Sequence, residues 1–166
     1  MTDAAPVTEK EKMTMVVFSG ELDKAMAAFI IATTGASMGM DVTMFFTFWG
    51  LNILKKNKGG NKGKGFKQKM FGMLNRGGSK RLKLSRFNMF GLGTWMMKLV
   101  MKDSHYPSID EFIEMAREMG VKLIPCSTTC GMFGLAEESF RSGVESISGA
   151  AFFLNEARKS KVTLFI

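Results

Sequence analysis

Apolar residues along this chain follow two alternating rhythms: short β-branched runs, and longer stretches spaced like one face of a helix. MTMVVFSG at 13–20 is a short apolar run closed by Ser-Gly, which predicts a strand. In ELDKAMAAFIIATTGASMG, residues Leu22, Ala25, Met26, Phe29 and Ile30 recur at helical spacing. Ser19 is the expected N-cap of that helix, and Glu21 and Asp23 sit where its dipole favours negative charge. DVTMFFTFWG at 41–50 is apolar without clean alternation, the pattern of a strand covered on both faces in a parallel sheet.

The far half of the chain repeats this alternation. In PSIDEFIEMAREMG at 107–120, Ser108 and Glu111 are spaced as a capping box, and Pro107 and Phe112 as a hydrophobic staple. Ile109, Phe112, Ile113 and Ala116 form the buried stripe, and Gly120 supplies the stop. VKLIPC at 121–126 predicts a third strand, GVESIS at 143–148 a short fourth and KVTLFI at 161–166 a last one. GAAFFLNEARKS, at 149–160, predicts an amphipathic helix before the last strand. Alternation of strand and helix implies an α/β domain with a mainly parallel sheet of about five strands and right-handed crossovers. The runs 13–19, 42–48 and 121–126 form its expected centre.

Residues 55–102 break the rhythm. KKNKGGNKGKGFKQK predicts a mobile loop, while FKQKMFGMLNR and FNMFGLGTWMMKLVM predict short helices with Met-rich apolar faces. Met70, Met73, Phe90, Trp95, Met96 and Met97 are expected to pack against the domain or a neighbouring subunit. Charge singles out the same segment. It holds 14 Lys or Arg and no acid, whereas the rest of the chain has nine bases against fifteen acids, a net of −6. The overall charge of +8 therefore describes an acidic domain carrying one basic insert.

A length of 166 residues with 46% hydrophobic content suits one compact domain. MTDAAPVTEKEK reads as a flexible tail over 1–12, which leaves 13–166 as the folded unit. The uncharged run AMAAFIIATTGASMGM is 16 residues long and softened by Thr, Gly and Ser. A spanning helix needs about 20 strongly apolar residues, so this run is expected inside a soluble domain. Two cysteines make no disulfide framework, and the expected compartment is the reducing cytoplasm.

Those cysteines carry the candidate chemistry. Cys126 leaves the strand VKLIP at its carboxyl end, where open parallel sheets gather ligands and reactive groups. STTCGMFG then predicts a helix start, with Ser127 or Thr128 near its cap. Helix N–H groups favour a thiolate, the nucleophilic form of cysteine. A small buried hydrophobe is the competing reading of Cys126. Cys130 would share a helical face with it as a second thiol, although an i,i+4 disulfide within a helix is awkward and packing is favoured. Ser19, Trp49, Ser127 and Thr128 are expected to line the site.

Other chemistries lack their residues. Two Cys and one His fall short of a structural zinc set, and no metal or cofactor is expected. His105, in KDSHYPS, reads as a turn residue. SGELDKA has neither nucleotide-loop pattern, and the cysteine spacing is CxxxC, not the CxxC of thioredoxin-type enzymes.

FFTFWGLNILKK at 45–56, the Met-, Gly- and Lys-rich insert, GVKLIPC at 120–126 and the closing VTLFI together resemble the DsrE/DsrF-like sulfur-relay family. The likeness is to its DsrE2 branch, also labelled peroxiredoxin-like. It implies a small sheet with helices on both faces, hence a three-layer sandwich, and assembly into trimers or hexamers. It implies further that Cys126 accepts sulfur as a persulfide or thiosulfonate and passes it to a TusA-like or rhodanese-like protein. The chain departs after that cysteine, reading CSTTCGMFG where many relatives read nearer CxMSMxxMG. A sulfurtransferase or carrier acting through Cys126 is thus the first expectation. The second is a non-catalytic module whose basic insert meets an anionic membrane surface or nucleic acid. Base-stacking aromatics are sparse there, with Phe66, Phe71, Phe87 and Trp95 scattered among Met and Gly.

Overall fold

The computed structural model describes residues 10–57 and 65–166. Residues 1–9 of the expected tail and 58–64 of the expected loop lie outside the described residues. Four strands form one sheet: β1 (Lys12–Val17), β2 (Asp41–Phe46), β3 (Lys122–Pro125) and β4 (Val162–Phe165). Their order is β3-β2-β1-β4, and every pair is parallel. Register aligns Val17 with Phe46 and Phe46 with Pro125, so β1, β2 and β3 end at one level.

Helices α1 (Leu22–Ser37), α2 (Leu51–Leu54), α3 (Phe66–Leu74), α4 (Leu92–Asp103), α5 (Ile109–Glu118), α6 (Ser127–Phe133) and α7 (Ala150–Ala157) complete the fold. Alternate strand residues Met13, Met15, Val17, Val42, Met44, Phe46 and Leu123 join the main core with Phe29 of α1 and Ile113 of α5. On the opposite face Phe45, Ile124 and Cys126 pack under Phe152 and Phe153 of α7. Two-sided burial explains the unbroken apolar runs of β1 and β2. The Ser108–Glu111 capping box is formed, and Tyr106 sets its ring 5.9 Å from that of Phe112.

Three expectations need correction. The sheet has four strands, not about five, because GVESIS does not form a strand. Val144 and Ile147, three apart, both pack on the main core, whereas a regular strand would send them to opposite faces. The segment still touches the sheet edge, with Glu145 N–H donating to Leu123 and Ser148 N–H to Pro125. The folded unit begins inside the expected tail, since Lys12 already belongs to β1. Ser19 is not the N-cap of α1. Glu21 holds that position without a side-chain cap, and Leu22 N–H is taken by the carbonyl of Lys83 at 2.8 Å.

That last bond shows how the insert is fixed to the domain. Ser85 donates to the Asp23 carboxylate of α1, and Ser79 to Asp110 of α5. Apolar anchoring comes from Leu82, Leu84 and Phe71. Met70, Met73, Phe90, Trp95, Met96 and Met97 instead stand exposed on this chain. Among the described residues no helix is long and apolar enough to cross a membrane.

A tight backbone approach occurs at Gly50, where an added Cβ would lie 2.1 Å from the Val17 carbonyl oxygen. Gly50 N–H also donates to Phe18 at 2.8 Å, which holds the turn after β2 against the end of β1. Gly50→Ala should therefore cost about 1–3 kcal/mol, as overpacking against an unyielding neighbour does. Urea denaturation would show this as a lower midpoint at unchanged slope; a wild-type midpoint would contradict it.

Candidate functional site

The level strand ends bring three turns together. Cys126 N–H donates to Phe46 at 2.8 Å, and Thr47 N–H to Val17 at 3.0 Å. Pro125 turns its carbonyl outward to Ser148 N–H, and Cys126 makes the next ladder bond to β2. Cys126 is then the N-cap of α6, with extended backbone at φ −73 and ψ 121. An N-cap side chain faces the N–H groups of the second and third helical residues, here Thr128 and Thr129.

Cys126 is 5% exposed. Burial is the largest influence on its ionisation and opposes the thiolate. The backbone N–H of Thr129, the hydroxyls of Thr47 and Thr129 and the N–H of Thr128 together outweigh it, holding the thiol below its ordinary value. No side-chain cap hydrogen bond to the sulfur is formed, so these groups act on the anion as nearby oriented dipoles. The two threonine hydroxyls lie 2.9 Å apart, and Thr129 Oγ1 accepts a long bond from Phe48 N–H at 3.4 Å. Phe48 adopts φ 46, a left-handed conformation, and this turns the chain sharply after Thr47.

Cys130 sits one turn along α6 and is 2% exposed. Burial and the neighbouring Cys126 charge push its thiol up to about 12, against a weaker opposing pull from Lys55. Lys55 is itself buried and gives its Nζ to the Asn75 carbonyl at 3.3 Å. Burial brings its amine down to about 8. The two cysteines remain free thiols.

Among the expected lining residues, Thr128 reaches Cys126 through its backbone N–H. Ser127 donates its N–H to the Ser148 carbonyl, which clamps the cysteine's outer edge. Ser19 hydrogen-bonds Glu21 through its hydroxyl. Trp49 stacks with Phe71 and Phe133, at 6.3 and 5.9 Å between centroids. Both side chains are thus engaged with partners other than Cys126. Thr47 and Thr129 were missed by reading the sequence. Capping logic at Cys126 points to Thr129 as the third helical residue, and Thr47 is the first residue beyond β2. Among the described residues no group of three or more His, Cys, Asp or Glu could hold a metal ion.

Comparison with known proteins gives a consistent picture. A family model for the DsrE/DsrF/DrsH-like family matches residues 9–165. The chain is 42% identical over 161 residues to the uncharacterised protein YrkE of Bacillus subtilis (strain 168), covering 96% of this chain and 100% of that one. It is 36% identical over 167 residues to the sulfur carrier protein DsrE2 of Allochromatium vinosum, covering 95% and 99%. The crystal structure of ychN from E. coli superposes with a TM-score of 0.54 at 12% identity, over 94% of this chain and 99% of that one, a likeness of fold.

Opposite shifts at the two thiols should be visible chemically. Iodoacetamide at pH 7 should modify Cys126 well before Cys130; equal rates would refute the electrostatic picture. Thr129→Val removes one hydroxyl donor, so the pH midpoint of Cys126 alkylation should rise. The sign for stability follows from linkage. A depressed folded value adds stability above the unfolded thiol's pKa of about 8.5, and that gain is lost as pH falls through the folded value. Thr129→Val should therefore destabilise more at pH 9 than at pH 6, measured by denaturation at both.

Proposed function

The chain belongs to the DsrE/DsrF/DrsH-like family, and from that premise we propose that it is a sulfur carrier that loads sulfane sulfur on Cys126. The observation carrying this reading is the contrast between its thiols: four donor groups favour the Cys126 anion, while burial suppresses that of Cys130. A relative bearing the name sulfur carrier supports it over nearly the whole chain.

The chemistry is thiol exchange without net redox change. Cys126 thiolate attacks the sulfane sulfur of a polysulfide, the S–S bond breaks, the shortened donor leaves as an anion, and Cys126–S–S⁻ remains. A partner thiolate then attacks the outer sulfur and Cys126 departs as thiolate, regenerated. With tetrathionate, the same attack releases thiosulfate and leaves Cys126–S–S–SO₃⁻, the thiosulfonate form. The Thr47 and Thr129 hydroxyls and the Thr128 and Thr129 N–H groups stabilise the leaving thiolate and the terminal anion. The receiving partner is a TusA-like or rhodanese-like thiol protein, and the carrier itself is a homo-oligomer, a trimer or hexamer.

Intact-mass measurement tests this directly. Polysulfide should add about 32 Da and tetrathionate about 112 Da, both reversed by dithiothreitol, as reversible cysteine caps are. Cys126→Ser should abolish either gain and Cys130→Ser should preserve it. Loading that survives Cys126→Ser would place the sulfur elsewhere.

A further inference from the structure

The insert helices are turned inside out. On α4, Leu92, Trp95, Met96, Leu99 and Val100 are spaced 0, 3, 4, 7 and 8, the stripe that ordinarily faces a core. All five are between 40% and 59% exposed, while Thr94 and Met101 on the other side are buried. The same reversal occurs on α3. Phe66, Met70, Met73 and Leu74 form an exposed stripe, and Phe71 alone turns inward to Phe133, 4.9 Å between ring centroids. Just before α4, Phe87, Met89 and Phe90 adopt φ of 56, 39 and 56. That left-handed backbone is unfavourable for such side chains, yet it presents all three to solvent, Phe90 completely.

These apolar surfaces are embedded in one sign of charge. Residues 55–102 hold 14 bases and no acid. The described ones include Lys67 and Lys69 on α3, Lys80, Arg81, Lys83 and Arg86 before the loop, and Lys98 and Lys102 on α4. We propose that the exposed faces of α3 and α4, with the 87–90 loop, seat on an anionic lipid surface. Their apolar side chains enter the headgroup boundary, and the lysines and arginines meet lipid phosphates. At 9 and 12 residues both helices are too short to span a bilayer and suit an in-plane position.

Charge and side-chain type select this occupant. A second copy covering these faces in a two-fold contact would set one acid-free insert against another, base against base. Nucleic acid would match the bases and find Phe66, Phe87, Phe90 and Trp95 to stack on, but the stripes of Leu, Met and Val between them offer it nothing. An anionic bilayer satisfies both features at once. The proposal uses neither cysteine, so it stands or falls apart from sulfur loading.

The test is co-sedimentation of the full chain with phosphatidylcholine vesicles, with and without phosphatidylglycerol. Binding should require phosphatidylglycerol and weaken as sodium chloride rises. The exposed double variants Phe87→Ser/Phe90→Ser and Trp95→Ser/Leu99→Ser, with circular dichroism to show that they fold, should each lose at least about tenfold in partitioning. Absence of binding, equal binding to neutral vesicles, or undiminished binding by both variants overturns the proposal. So does light scattering in which either variant dissociates a wild-type oligomer, since a second copy would then cover the surface. Tighter, salt-sensitive binding to single-stranded RNA than to vesicles would also overturn it.

Discussion

The hydrogen bond from Cys126 N–H to the Phe46 carbonyl, 2.8 Å long, ties the site to the sheet. Without it the ladder between β2 and β3 would stop short, because Pro125 turns its carbonyl outward to the Ser148 N–H. Through it the cysteine inherits the rigidity of two buried strands and is set beside Thr47, which is fixed in turn by the Val17 carbonyl. On the outer side, Ser148 bridges Cys126 and receives the Ser127 N–H. A thiol with stem and neighbours clamped in this way need not lose conformational freedom each time it reacts.

Two cysteines one helical turn apart thus experience opposite physics. Cys126 stands at the mouth of α6, where N–H groups have no helical acceptor and favour an anion. Cys130 lies past that zone, its own N–H bonded to the Cys126 carbonyl and its side chain in the main core. The buried amine of Lys55 nearby offsets only part of the burial cost. Position relative to a helix start, a matter of four residues, separates a candidate nucleophile from a packing residue.

Much of the fold was legible because two-sided burial leaves a plain record. The runs in β1, β2 and β3 and the stripe of α5 could be read directly, and so could Cys126 at a strand exit. What was hidden depended on tertiary partners. GVESIS looked like a strand, but Val144 and Ile147 needed one common core. Ser19 looked like a cap until the Lys83 carbonyl took Leu22 N–H, a contact across 61 positions. The methionines of the insert read as packing residues because apolar periodicity identifies a face without saying which way it points. Thr47 was invisible as a site residue, because its role exists only once β2 and β3 are neighbours.

Strand order carries a kinetic consequence. β1 lies inside the sheet, and one of its flanks is β4, with Met13 opposite Val162. The early strand therefore waits for a late one, and closing so large a loop must precede any reward from their contact. During synthesis β1 can pair with β2 on one side while its other edge stays open, an invitation to wrong partners until β4 emerges. Phe18 N–H finds the Ile166 carbonyl at 2.7 Å only at that final stage. The folding nucleus must then lie among the nearer contacts of β1, α1 and β2, with β4 arriving as the closing strand.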